Sequence, residues 1–188
     1  MELIRAFIAF PIPETLRERL GKAQQQIMQN LTHLRPVKPQ GIHLTLNFLG
    51  DISESKVYTV GGIMEQVCAN HGPMELLCRR VGAFPDMKNP RVLWAGLEGE
   101  IDKLAALQKE LSTQLAVIGY TAENRPFNPH LTLFRIKQQK QVGTLRKRAE
   151  KVSKENFGEI LCNTLVLYRS DLKPEGAVYT KLKMVALD

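Results

Sequence analysis

The tetrapeptide His-Leu-Thr-Leu occurs at 43–46 and again at 130–133, an offset of 87 residues. With near-average residue usage, one copy arises by chance in a chain this long with a probability on the order of 10⁻³. Two copies at matching places are far rarer, and His is an uncommon scaffold residue for a strand. On a strand, residues two apart share a face. His43 and Thr45 therefore point one way while Leu44 and Leu46 point into a core, and His130 and Thr132 repeat the pattern. Either histidine alone would read as structural; the pair reads as chemistry. Two imidazoles converging on one phosphodiester would let a neutral ring take the proton of the attacking oxygen. A protonated ring would then give one to the departing oxygen. An ordinary His pKa of about 6.5 makes both forms available near neutrality. Thr45 and Thr132 are expected to bind the phosphate, donating to its non-bridging oxygens. The near-symmetry of the two copies leaves open which histidine is acid and which is base.

No metal and no cofactor are expected. The remaining histidines, His33 and His71, fall in or beside loops expected to be solvated, outside any HExxH-like spacing. Zinc held by His43 and His130 would lack the third protein ligand that a catalytic site needs.

The elements that must position these residues follow from periodicity. Leu3 to Phe10 reads as a strand cut off by Pro11 and Pro13. Leu16, Leu20, Ala23, Ile27 and Leu31 recur at helical spacing. A strand at His43 to Leu49 closes at Gly50-Asp51. A helix from Lys56 to about Asn70 and strands at Met74–Val81 and Arg91–Leu97 follow. The second half repeats this order. A helix spans about 101–118, and a Pro-containing lead-in at Arg125–Pro129 precedes a strand at His130–Ile136. A basic helix at about 141–154 then leads to strands at Ile160–Tyr168 and Ala177–Val185. The 87-residue offset carries each helix and strand of the first half onto one of the second, with Phe7 falling on Trp94, itself expected in the core. The expectation is an α+β fold. The chain 1–188 is expected to form a single bilobal domain, with an internal repeat at about 13–97 and 100–187 and pseudo-symmetric lobes facing a central cleft.

Composition bounds the class. Hydrophobic residues make up 44% and charged residues 24% of 188, which excludes a disordered or collagen-like chain. The formal charge of +7 suits a polyanionic partner without requiring one. Cys68, Cys78 and Cys162 are scattered and odd in number, which signals neither a disulfide framework nor a zinc knuckle and suits a reducing cytoplasm. No stretch reaches transmembrane length, and no heptad or long apolar stripe points to an oligomer, so a cytoplasmic monomer away from the membrane is expected. The basic run from Lys137 to Lys154 reads as a solvated helix face, or else as a guide for an RNA backbone.

His-x-Thr-hydrophobic repeated about 90 residues apart resembles the signature of the two-histidine phosphoesterase superfamily. Arg-Ala-Phe-Ile-Ala-Phe at 5–10, His-Leu-Thr-Leu-Asn-Phe-Leu-Gly at 43–50 and Arg-Val-Leu-Trp at 91–94 are similar to its bacterial RNA branch. So are Phe-Asn-Pro-His-Leu-Thr-Leu-Phe-Arg at 127–135 and the stretch from Leu167 to Tyr179. That branch comprises the RNA 2′,3′-cyclic phosphodiesterases, historically called 2′-5′ RNA ligases. The resemblance implies antiparallel sheets lining the cleft, with helices on their outer faces. It also implies metal-independent hydrolysis of a terminal 2′,3′-cyclic phosphate on RNA to a 2′-phosphate, with His43 as proton donor and His130 as proton acceptor. The reverse 2′-5′ ligation follows from microscopic reversibility. Arg135 matches a family arginine and is expected to bind phosphate, although five residues from His130 a regular strand would point it away; a bulge or strand end is required. Asn47 and Phe134, four residues after each histidine, are expected to share its face and contact substrate, with Phe134 stacking on a base. A small cyclic nucleotide as substrate, or a non-catalytic RNA-binding module, are the alternatives.

Overall fold

In a computed structural model, which describes residues 3–120, 126–174 and 176–188, the chain forms two antiparallel sheets and four α-helices. Arg125, at the start of the expected lead-in, lies outside the described residues.

The first sheet contains β1 (Leu3–Pro11), β3 (His43–Ser53), β8 (Thr164–Lys173) and β9 (Gly176–Ala186), in the order β3-β1-β8-β9. The second contains β2 (Leu34–Pro36), β4 (Met74–Phe84), β5 (Val92–Gly99), β6 (His130–Ile136) and β7 (Asn156–Cys162), in the order β2-β6-β5-β4-β7. The trio β3-β1-β8 of one sheet thus has its counterpart in β6-β5-β4 of the other. The single strand expected at Ile160–Tyr168 is in fact two, broken at Asn163. β7 pairs with β4 in one sheet, and β8 crosses to pair with β1 in the other. Both are apolar, so hydrophobicity alone runs them together. The short β2, which pairs with β6, has no periodicity long enough to be read in advance.

The helices are α1 (Glu14–Met28), α2 (Lys56–Cys68), α3 (Ile101–Val117) and α4 (Val142–Val152). α1 buries Leu16, Leu20, Ala23 and Ile27, a one-sided stripe, and has Glu14 in its first turn, where the helix dipole favours a carboxylate. It stops before the expected Leu31, and Asn30 follows in the left-handed region (φ 58). Arg148 of α4 donates to the Ile27 carbonyl at 3.2 Å and also to that of Gln29, capping the end of α1. One member of the basic run therefore has a structural task. α1 and α4 pack on the second sheet and α2 on the first, while α3 touches both, through β3 and β4. A single apolar core joins the helices to the covered faces of both sheets, including Ile8, Leu44, Leu131 and Leu165. The opposite face of the first sheet carries its own small cluster of Phe7, Ala9, Val166 and Tyr168, with Tyr179 against it. The two sheets approach each other along β3 and β6, the strands that carry the histidines. Among the described residues no helix is long and apolar enough to cross a membrane.

Candidate active site

His43 opens β3 and His130 opens β6, so each histidine enters its strand directly from a connecting segment. Each ring is held by the carbonyl two residues upstream. The His130 Nδ1 donates to the Asn128 carbonyl at 2.7 Å, and the His43 ring donates to the Gly41 carbonyl. A ring fixed this way has one nitrogen committed as donor and the other left to face a ligand. Both copies of the motif thus use the same device.

The walls are aromatic. His43 meets Tyr168 at 4.7 Å between centroids, Tyr179 edge-on at 5.0 Å and Phe7 at 5.7 Å. Phe7 stacks on Tyr168 at 5.2 Å and 16°. His130 stands edge-on to Phe84 at 4.9 Å, with Trp94 at 6.5 Å. Trp94 is therefore half-buried beside His130 and not in the core as expected; its ring lies over Gly82, the residue it pairs with on β4. The enclosure has an electrostatic effect. Burial pushes the His43 pKa down to about 4, and the Arg17 and Lys181 charges act in the same direction. Burial also raises the Tyr168 and Tyr179 hydroxyls, which remain proton donors at neutral pH.

The strands then break their alternation at the same place. Thr45 pairs with Ala9 of β1 but Asn47 pairs with Ile8, so Leu46 is an extra residue on β3. Thr132 pairs with Trp94 but Phe134 pairs with Leu93, so Leu133 is the extra residue on β6. A bulge of one residue moves every later side chain to the other face. Helix amides support the bulged carbonyls. Buried Gln24 of α1 donates to Leu133 O at 2.8 Å and to Val37 O at 2.7 Å, and Gln108 of α3 reaches Leu46 O at 3.5 Å.

The bulges decide which expected residues keep the faces of the two histidines. His43, Thr45, His130 and Thr132 keep their shared faces. Asn47 is turned away and donates to the Ser112 hydroxyl of α3 at 2.7 Å. Phe134 is fully buried in the core, which removes it as a stacking platform. Arg135 gains the face that Phe134 loses, and its charge acts on the Tyr179 hydroxyl across the cleft. The condition set for Arg135, a bulge, is met. In the first motif the corresponding position is Phe48, 58% exposed and in ring contact with Phe7 at 6.0 Å. Sequence reasoning missed Phe48, Tyr168 and Tyr179. The alternation of Phe7 with Ile8 and of Tyr168 with Leu167 looks like a strand buried on both sides, not one that faces a cleft. His71 is not solvated as expected; its Nε2 lies 2.8 Å from Glu110. Among the described residues no three His, Cys, Asp or Glu side chains converge to hold a metal ion.

The sequence signature of the LigT-like phosphoesterases matches the chain twice, over residues 10–94 and 96–179. The chain belongs to the LigT-like phosphoesterase family. It is 33% identical to the RNA 2′,3′-cyclic phosphodiesterase of Aquifex aeolicus, covering 96% of this chain and 95% of the relative. It is 28% identical to that of Methanothermobacter thermautotrophicus, with 98% and 99% covered. Among solved structures, Escherichia coli LigT complexed with 3′-AMP superposes with a TM-score of 0.81 at 27% identity, covering 99% of both chains. The TT0787 protein of Thermus thermophilus gives 0.80 at 30% identity, covering 97% of both. The two LigT-like matches contain the two histidine motifs, one each.

Proposed function

We propose that this chain hydrolyses the 2′,3′-cyclic phosphate at the end of an RNA to a 2′-phosphate. The observation that carries the reading is the pair of histidines, each pinned by the carbonyl two residues upstream, on strands that approach each other from the two sheets. Its support is the name shared by relatives that match nearly the whole chain.

In the proposed step His130 takes a proton from water as its oxygen attacks phosphorus. The bond from phosphorus to the 3′-oxygen breaks, and His43 protonates that oxygen. The products are a 2′-phosphate and a free 3′-hydroxyl, and the two rings have exchanged protonation states. Thr45, Thr132 and Arg135 hold the non-bridging oxygens, where hydrogen bonds to charge are strongest. The low proton affinity of His43 in the free protein fits this role once substrate is included. An anionic phosphate beside the ring favours the protonated form, so His43 takes up its proton together with the substrate. Run backwards, the same groups would join a cyclic-phosphate end to a 5′-hydroxyl through a 2′-5′ linkage.

Turnover of an oligonucleotide ending in a 2′,3′-cyclic phosphate, measured in EDTA, tests the reading. His43→Ala and His130→Ala should each lower kcat by about 10²–10⁴-fold. A substrate with sulfur in place of the 3′-oxygen leaves without a proton, so it should rescue His43→Ala and not His130→Ala. Rescue of the other variant would exchange the two roles, and full activity in either variant would remove that residue from the reaction.

A further inference from the structure

A large concavity of the molecule, about 680 Å³, lies at the far end of the first sheet and not around the histidines. Arg5, Arg169 and Lys173 contribute its cations, and Ser170 a hydroxyl. Asp51 and Asp171 also line it, leaving one more positive than negative charge; Asp171 is held by Arg169 at 2.9 Å. Two apolar side chains stand unusually bare at its rim, Leu3 at 65% and Leu172 at 70% exposure.

The basin connects to the histidines through β1. Arg5 lies two residues before Phe7 on the same face, about 7 Å along the strand, and Phe7 touches His43. Arg5 also shares with Arg135 an effect on the Tyr179 hydroxyl. The charges of both Arg135, on the histidine strand β6, and Arg5, which lines the basin, are thus felt at Tyr179 beside His43.

We infer that this basin receives the nucleotide on the 5′ side of the reacting one, with Arg5 binding its phosphodiester and Leu3 and Leu172 giving its base and sugar an apolar floor. The inference rests on the function proposed above and deepens it: the nucleotide next to the reacting one has its own binding position, which favours an oligonucleotide end over a nucleoside cyclic phosphate. A mononucleotide presents a single phosphate, which Arg135 and the two threonines already serve. Only a longer substrate brings a second anion to Arg5.

The test compares a dinucleotide and a nucleoside, both ending in a 2′,3′-cyclic phosphate, on the wild type, Arg5→Gln and Arg5→Lys. Arg5→Gln should lower kcat/KM for the dinucleotide about tenfold through KM and leave the nucleoside unchanged. Arg5→Lys should restore most of the loss. The salt dependence of dinucleotide binding should become shallower by about 0.7 in log–log slope, the share of one phosphate contact on a single strand. An equal loss on both substrates, or none on the dinucleotide, overturns the inference. Titration of the products, a dinucleotide and a nucleoside each bearing a terminal 2′-phosphate, gives a second readout that needs no turnover. If neither cyclic substrate is hydrolysed the catalytic reading fails, and the binding ratio of wild type to Arg5→Gln still decides the basin.

Discussion

Replacing His43 by Gln should change how stability responds to acid. The imidazole is enclosed by Phe7, Tyr168 and Tyr179, with Arg17 and Lys181 adding positive charge nearby, and its pKa falls from 6.5 to about 4. The unfolded chain binds a proton here below about pH 6.5, and the folded chain refuses it until about pH 4. The contribution of this neutral, buried ring is thus complete above pH 6.5 and lost as the pH falls towards 4. Each pH unit within that window is worth up to about 1.4 kcal/mol, which gives about 2 kcal/mol by pH 5 and about 3 kcal/mol when the loss is complete. His43→Gln abolishes the term while every other titrating group is common to both proteins. Urea unfolding of both proteins at pH 8 and pH 5, in buffer free of phosphate and sulfate, isolates it. The difference in unfolding free energy should move by about 2 kcal/mol in favour of the variant at pH 5. A difference equal at the two pH values would mean that the ring is solvated in the free protein, and would refute the account of its burial.

Two further outcomes follow from the walls and the bulges. Gly82→Ala would put a methyl group 2.3 Å from the Trp94 ring, so it should cost about 1–3 kcal/mol and displace the ring beside His130. Trp94 is the sole tryptophan, so a shift in emission accompanied by reduced kcat is the expected signature, and unchanged emission would count against that packing. Phe134→Ala should cost about 3–5 kcal/mol as a core cavity and Asn47→Ala about 1 kcal/mol for its bond to Ser112, both with KM unaltered. A raised KM at unchanged Tm in either variant would return that side chain to the cleft.

The helices and the histidine strands are legible in the sequence because their periodicities are long and the duplicated tetrapeptide marks itself. Thr45 and Thr132 are legible for the same reason, lying before any irregularity. Asn47, Phe134 and Arg135 lie beyond the bulges, where counting in twos gives the wrong face. No residue type announces those bulges. The extra residues are Leu46 and Leu133, ordinary strand formers, and the groups that bind their carbonyls, Gln24 and Gln108, sit on helices distant in sequence. The same limit hides the break at Asn163. The strands on either side are equally apolar, and only long-range pairing shows that they serve different sheets. Trp94 reads correctly as the match of Phe7 and incorrectly as core, because both positions face the cleft.

The passage of β8 into the sheet of β1 has a consequence for how the molecule is made. As the polypeptide emerges from the ribosome, β1 can hydrogen-bond to β3 early, but its other edge stays open until Tyr168 arrives opposite Phe7. An unsatisfied edge of that kind is a template for pairing with a neighbouring nascent chain. Premature termination shortly before Thr164 therefore yields a sticky fragment rather than a smaller working enzyme, and the wall of Tyr168 and Tyr179 around His43 waits for β8 and β9 to emerge.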